Sequence, residues 1–117
     1  MAQAETYRVY SPFGVGSSPD ILVRKVLDTA QTKSQDIYIV INKPGAEGAI
    51  AYRHFLEETS PKILATSTSL ILDPKLDVQD QTKSLIFYYK LGFYLIAPID
   101  SKLNTCLLYT SPSPRDS

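Results

Sequence analysis

One histidine and one cysteine, His54 and Cys106, are the whole supply of imidazole and thiol in this chain. Zinc sites built on His/Cys clusters need three or four such ligands, so they are excluded on count. A lone cysteine forms no internal disulfide, and no C-x-x-C spacing is present. A Ser-His-Asp triad would have to use His54, which falls within a helical pattern, and no G-x-S-x-G elbow accompanies it. No catalytic constellation emerges. The residues that remain able to do chemistry are backbone amides and hydroxyls, gathered in three loops rich in glycine, serine and threonine.

The central loop is Asn42-Lys43-Pro44-Gly45-Ala46-Glu47-Gly48-Ala49-Ile50. A β-forming run, Ile37 to Ile41, precedes it. A helical pattern from about Ala49 to Glu58 follows. The first loop is Ser11-Pro12-Phe13-Gly14-Val15-Gly16-Ser17-Ser18, between a short strand at Tyr7–Tyr10 and a second helical pattern. The third is Thr66-Ser67-Thr68-Ser69, directly after a strand at Ile63–Ala65. In α/β proteins ligands bind outside the carboxyl ends of parallel strands, over helix N-termini.

A small anion suits such loops. Hydrogen bonds to a charged acceptor contribute about 1.5–3 kcal/mol each. About four of them give ~6–12 kcal/mol gross, against at least ~4 kcal/mol for association, so one lobe alone reaches roughly micromolar binding at best. Each glycine by itself also reads as simple turn geometry. Glu47 works against the anion, because its carboxylate repels one unless it points away. Arg8, Arg24 and Arg53 could supply positive charge, although Arg24 and Arg53 read as residues of solvated helix faces. A nucleotide fits less well. Gly14-Val15-Gly16 begins a G-x-G-x-x-G fingerprint, but Pro19 stands where the third glycine belongs, and Asn42 where the ribose-binding acid belongs. No P-loop is present.

The surrounding elements read as one α/β unit. At 117 residues there is room for one domain at most. Acids and bases balance at 12 each, which gives no global attraction to nucleic acid or an anionic membrane. The aromatic cluster Phe87, Tyr88, Tyr89, Phe93 and Tyr94 reads as sheet packing, since no basic groove accompanies it as a base-stacking platform needs. No apolar run approaches the ~20 residues of a membrane span; Leu91 to Ile99, which contains Pro98, reads as a strand.

Ser18 is placed to cap the first helix, with Pro19 at its first position and Asp20 as a first-turn charge; Ser17 and Asp20 have capping-box spacing. Leu22, Val23, Val26, Leu27 and Ala30 form its apolar stripe, and Gln31–Gln35 its polar exit. The unbroken apolar run Ile37–Ile41 predicts a strand covered on both faces. In the second helix Ile50, Phe55 and Leu56 are the expected core contacts, with Arg53, Glu57 and Glu58 outward, and Thr59-Ser60-Pro61 stops it. Leu85–Tyr89 and Phe93–Ala97 predict two more strands, or one bent at Gly92. The order β-α-β-α-β then β predicts a parallel sheet with flanking helices and right-handed crossovers.

These loops resemble those of a known family. Gly16-Ser17-Ser18-Pro19-Asp20-Ile21-Leu22-Val23-Arg24 is similar to its Gly-Gly-x-x-Asp loop and helix. Asn42 to Ile50 is similar to its Asn-Arg-Pro-Gly-Ala-Gly-Gly-Asn-Ile signature. Thr66 to Leu70, with Asp73-Pro74 downstream, matches its third loop. The family is the periplasmic solute-binding proteins of tripartite tricarboxylate transporters, also called the Bug family, and the resemblance covers roughly Tyr7 to Asn104. It implies lobe one of a two-lobe fold that closes on a small organic carboxylate. It implies ligand contacts from Phe13, Gly16, Ser17, Ser18 and Asp20, then Pro44, Gly45, Ala46 and Gly48, then Ser67 and Thr68. It implies partnership with membrane transporter subunits, a periplasmic location, and no enzyme activity, metal or other cofactor. Glu47 and Ala49 depart from the signature, where glycine and asparagine stand.

The ends carry expectations of their own. Residues 1–6 include Ala2-x-Ala4, the small-x-small form of a signal-peptidase site; it reads as coincidence or as the remnant of a signal region. Residues 7–90 read as the partial ligand-binding lobe, and 91–104 as the start of a crossover to a second lobe. Residues 105–117 close on Ser/Pro repetition. They resemble translated sequencing adaptor, or a natural Pro/Ser tail, and either way read as unstructured.

Overall fold

The computed structural model describes residues 5–78, 82–89 and 93–101. Its elements are β1 (Thr6–Ser11), α1 (Ser18–Lys33), β2 (Ile37–Asn42), a 3-10 turn (Ala46–Gly48), α2 (Ala49–Glu57), β3 (Lys62–Ser67), a short α3 (Thr68–Ile71), β4 (Thr82–Tyr89) and β5 (Phe93–Pro98). They build one five-stranded sheet in the order β2-β1-β3-β5-β4.

The first three strands are parallel, as the alternating pattern predicts. The last two are not. β5 runs antiparallel to both β3 and β4, so the sheet is mixed, and β4 and β5 are two strands. The few residues between them leave room for a hairpin but not for the dozen or more residues of a parallel crossover.

Chain path sets the two layers. β1 leads outward through α1 to β2, and β2 leads back across β1 through α2 to β3. With crossovers of one hand, the two helices must cover opposite faces. Tyr7, Val9, Ile63, Ala65, Leu85, Leu95 and Ala97 pack with Val23, Leu27 and Ala30 of α1 on one face. Tyr10, Leu64 and Ile96 pack with Ala51, Tyr52 and Phe55 of α2, and with Leu70 and Val78, on the other. Val23, Leu27 and Ala30 lie at i, i+4 and i+7, the stripe read from the sequence.

Three expectations are corrected. β2 is an edge strand, and its Ile37 and Ile39 are 48% and 44% exposed, so the apolar run Ile37–Ile41 does not mark a strand covered on both faces. In α2, Ala51 and Tyr52 join Phe55 in the core, whereas Leu56 is exposed and Ile50 half-buried. At 100° per residue Leu56 falls off the Tyr52–Phe55 face. Glu58 does not point outward: its Oε1 accepts the Tyr10 hydroxyl and lies 3.9 Å from Arg8 Nε, and its Oε2 accepts the Ser60 N–H. The Gly92 bend and Cys106 lie outside the described residues, as do residues 1–4 of the expected segment 1–6, residues 91–92 and 102–104 of the segment 91–104, and all of 105–117.

Candidate ligand-binding edge

The carboxyl ends of β1, β2 and β3 lie along one edge of the sheet. Ser11 pairs with Asn42, so β1 and β2 end level. Tyr10 pairs with Leu64, so β3 extends past them through Thr66 and Ser67. The connections from β1 and β3 leave in opposite directions, which makes the gap between these ends a topological switch point, where α/β sheets bind ligands. The three loops meet at Gly48. A Cβ there would lie 3.8 Å from Pro12 Cβ of the first loop and 3.7 Å from Leu70 Cδ1 of the third.

A polar clamp ties the first loop to β2. Asp20 is 1% exposed. Its Oδ2 accepts the Gly16 N–H at 2.9 Å and Arg24 Nε–H at 3.1 Å. Its Oδ1 accepts Asn42 Nδ2–H at 2.9 Å. Asn42 Nδ2 also donates to the Phe13 carbonyl at 2.8 Å, and Asn42 Oδ1 accepts from the Arg24 guanidinium at 2.9 Å. Burial pushes the Asp20 carboxyl pKa up, but the hydrogen bonds from Asn42, Gly16 and Arg24 outweigh it and hold it below the usual value. Asp20 is thus more than a first-turn helix charge, and Arg24 is not a free residue of a solvated face. The N-cap position is taken by Ser17 rather than Ser18, with Pro19 in the first turn; no side chain caps the helix, and Ser17 Oγ donates to the Gly14 carbonyl at 2.7 Å.

The second loop is held in an uncommon backbone state. Gly45, Ala46, Glu47 and Gly48 have φ of 125, 51, 55 and 98° in succession. Gly48 N–H closes the turn on the Gly45 carbonyl at 3.1 Å, and α2 starts immediately after it. Pro44, Gly45, Ala46 and Glu47 are all exposed along the edge. A left-handed φ costs a non-glycine residue about 1–2 kcal/mol. Glu47→Gly should therefore raise stability by about 1 kcal/mol after the added chain entropy of glycine. Urea denaturation checks this; a loss of stability would show that the Glu47 side chain holds the turn.

The third loop is not a loop throughout. Thr66 and Ser67 finish β3, with Thr66 buried, and Thr68 opens α3. Thr66 Oγ1 donates to the Ser67 carbonyl at 3.4 Å, a turn-like bond of the chain with itself. The structure brings Phe13, Gly16, Ser17, Ser18, Asp20, Pro44, Gly45, Ala46, Gly48, Ser67 and Thr68 to one edge. Several of these groups are already engaged: the Gly16 N–H, both Asp20 oxygens and the Phe13 carbonyl serve the clamp, the Ser17 hydroxyl donates to the Gly14 carbonyl, and the Gly48 N–H closes on Gly45. Asn42 was not among the candidate binding residues. Its signal is a short amide at a strand end just before Pro-Gly, a position suited to bridging two loops.

Elsewhere, a cavity of about 390 Å³ opens at the opposite edge, lined by residues that include Glu58, Pro61, Lys62 and Asp100. Lys62 Nζ donates there to the Glu58 carbonyl at 2.8 Å and stacks 4.8 Å from the Phe55 ring centre, closing the end of α2. Burial depresses its pKa. His54 is half-buried and stacks on Tyr10 at 6.3 Å between ring centres. Among the described residues no group of three His, Cys, Asp or Glu side chains is placed to hold a metal ion. No helix among them is long and apolar enough to cross a membrane.

No family model and no curated protein matches the sequence. The fold does have a solved counterpart. It is similar to the crystal structure of a TctC solute-binding protein from Polaromonas, determined without ligand, with a TM-score of 0.59 and 22% sequence identity. The match covers 68% of this chain and 30% of that one, so the chain spans less than a third of that protein's length. The chain is a five-stranded mixed α/β sheet that shares its fold with part of a solute-binding protein.

Proposed function

We propose that this chain carries the ligand-gripping edge of an extracytoplasmic solute-binding protein of the tripartite tricarboxylate type. In this reading it takes a small organic carboxylate and delivers it to membrane transporter subunits. The observation that carries the reading is the convergence at Gly48 of three strand-end loops across a switch point. The fold likeness to a TctC protein and the order of the three loop motifs support it. The ligand carboxylate lies over the first turn of α2, against the backbone of Pro44, Gly45 and Ala46. Ser18 and Ser67 supply hydroxyls, partly through water. Asp20 acts at one remove, by fixing the loops it ties. A second lobe, reached through residues 91–104, supplies the other wall.

A phosphate or nucleotide fits this edge less well. An anion drawn to the Gly16 N–H would meet the Asp20 carboxylate already there.

The test is thermal denaturation of the protein with its second lobe present, against mono-, di- and tricarboxylates, each paired with its neutral amide at matched ionic strength. The expected result is saturable stabilisation by carboxylates alone, reaching about 2.7 kcal/mol at a hundredfold excess over Kd. Equal shifts from acids and amides, or no shift from any acid, would overturn the reading.

A further inference from the structure

The edge strand β2 lacks every common device that keeps sheet edges from pairing. Its six residues, Ile-Tyr-Ile-Val-Ile-Asn, hold no charge, proline or glycine. Its register with β1 runs unbroken from Thr6↔Ile37 to Ser11↔Asn42, with no bulge. Natural edges are blunted by lysine, proline, bulges or a covering element. Among the described residues nothing pairs with its outer side.

The backbone fixes what could pair there. Ile37 N–H donates to the Glu5 carbonyl and Lys43 N–H to the Ser11 carbonyl. In a parallel ladder alternate residues point to the same neighbour, so the N–H and C=O groups of Ile37, Ile39 and Ile41 face β1. Those of Tyr38 and Val40 therefore face outward. We infer that β2 is a self-association edge: a second copy of this chain pairs antiparallel along it about a two-fold axis normal to the sheet, with Ile39 opposite Ile39 of the partner.

Geometry limits the register to a few choices, and the one proposed is centred on Ile39. A two-fold axis normal to the sheet keeps each face on its own side, so directly opposed residues must share a face, and their numbers must sum to an even value. A sum centred on Ile39 sets Tyr38 against Val40 in both directions. Those residues carry the outward groups, so each of the two pairs exchanges two N–H···O bonds. Ile37 then faces Ile41, and isoleucines of both copies form one continuous stripe on the face that carries α2. Ile37 and Ile39 are the half-exposed members of that stripe.

Charge selects the same orientation. Asp36 precedes the strand and Lys43 follows it. Antiparallel pairing brings the acidic end of one copy beside the basic end of the other, whereas parallel pairing would set like against like. The two-fold closes after one pairing, so the product is a dimer and not a fibre.

The test is sedimentation equilibrium of the full chain. One strand pair buries less than the ~1,200 Å² of a standard interface, so the series spans roughly 10 µM to 1 mM. The expected result is a reversible monomer–dimer equilibrium. Ile39→Lys sets two ammonium groups opposite each other and should raise Kd at least tenfold. Val40→Pro deletes an outward N–H, which an edge strand tolerates, and should do the same. Circular dichroism checks that both variants fold; Ile39, being half-exposed, keeps the first available should the second not fold. A monomer at every concentration, a dimer untouched by Ile39→Lys, or open-ended polymer would each overturn the inference.

Discussion

Asp20→Ala should lower folding stability by about 3 kcal/mol, measured by urea denaturation. Breaking a buried ionic pair by deleting one partner costs about 3–5 kcal/mol. The lower end applies because Arg24 is half-exposed and water can take over its guanidinium. What remains is severe. Asn42 loses an acceptor, the Gly16 N–H is orphaned, and the first loop is no longer tied to the end of β2. Asp20→Asn should cost less, about 2 kcal/mol, since it keeps the shape but turns one oxygen into a donor that faces donors.

The same carboxylate gives a pH signature. Its folded pKa lies below its ordinary value of 3.8. Above that value both states are ionised and the stabilisation is complete. As pH falls below about 4 the unfolded state takes up the proton first, and stability drops until the folded carboxyl also protonates. Glu58 adds to this slope, because the hydrogen bond from Tyr10 depresses its pKa too. Asp20→Asn should therefore flatten the acid limb without abolishing it, and Glu58→Gln should remove a further share. An unchanged acid limb in Asp20→Asn would mean that the clamp is not charged in the folded protein.

Much of the fold is legible in the sequence, because it rests on periodicity. The α1 stripe and the first two strand-loop-helix junctions are local patterns, and each is found where it is read. The clamp is less legible. Asp20 and Arg24 stand four apart and can be paired on paper, but Asn42 joins them from 22 and 18 residues away, and no spacing rule predicts that. The state of β2 is misread for a different reason. An unbroken apolar run means burial only if something covers both faces, and coverage is a property of the other elements. Thr66–Ser69 shows a third limit. Hydroxyl residues suit loops, strand ends and short helices alike, and only the extension of β3 beyond β1 decides among them.

The central loop is where backbone geometry makes the strongest claim, and Gly45→Ala tests it. Gly45 has φ 125° and ψ 155°, a region open almost only to glycine. A Cβ there would also stand 2.7 Å from Ile50 Cδ1. The backbone term costs about 1–3 kcal/mol. The contact adds less, because the far end of an isoleucine can turn aside. The expected loss is about 2–3 kcal/mol. Gly45→Ala combined with Ile50→Val removes the contact and leaves the φ, so it should recover less than half of that. Gly14→Ala is the control: nothing lies within 4 Å of its Cβ and its φ is not positive, so it should stay within about 0.5 kcal/mol of the parent. Gly45 also accepts the Gly48 N–H that closes the turn ahead of α2. Amide exchange at Gly48 should therefore quicken in Gly45→Ala beyond what the global loss explains. If it does not, the turn is held by Pro12 and Leu70 around Gly48, and its four left-handed residues follow from packing instead of directing it.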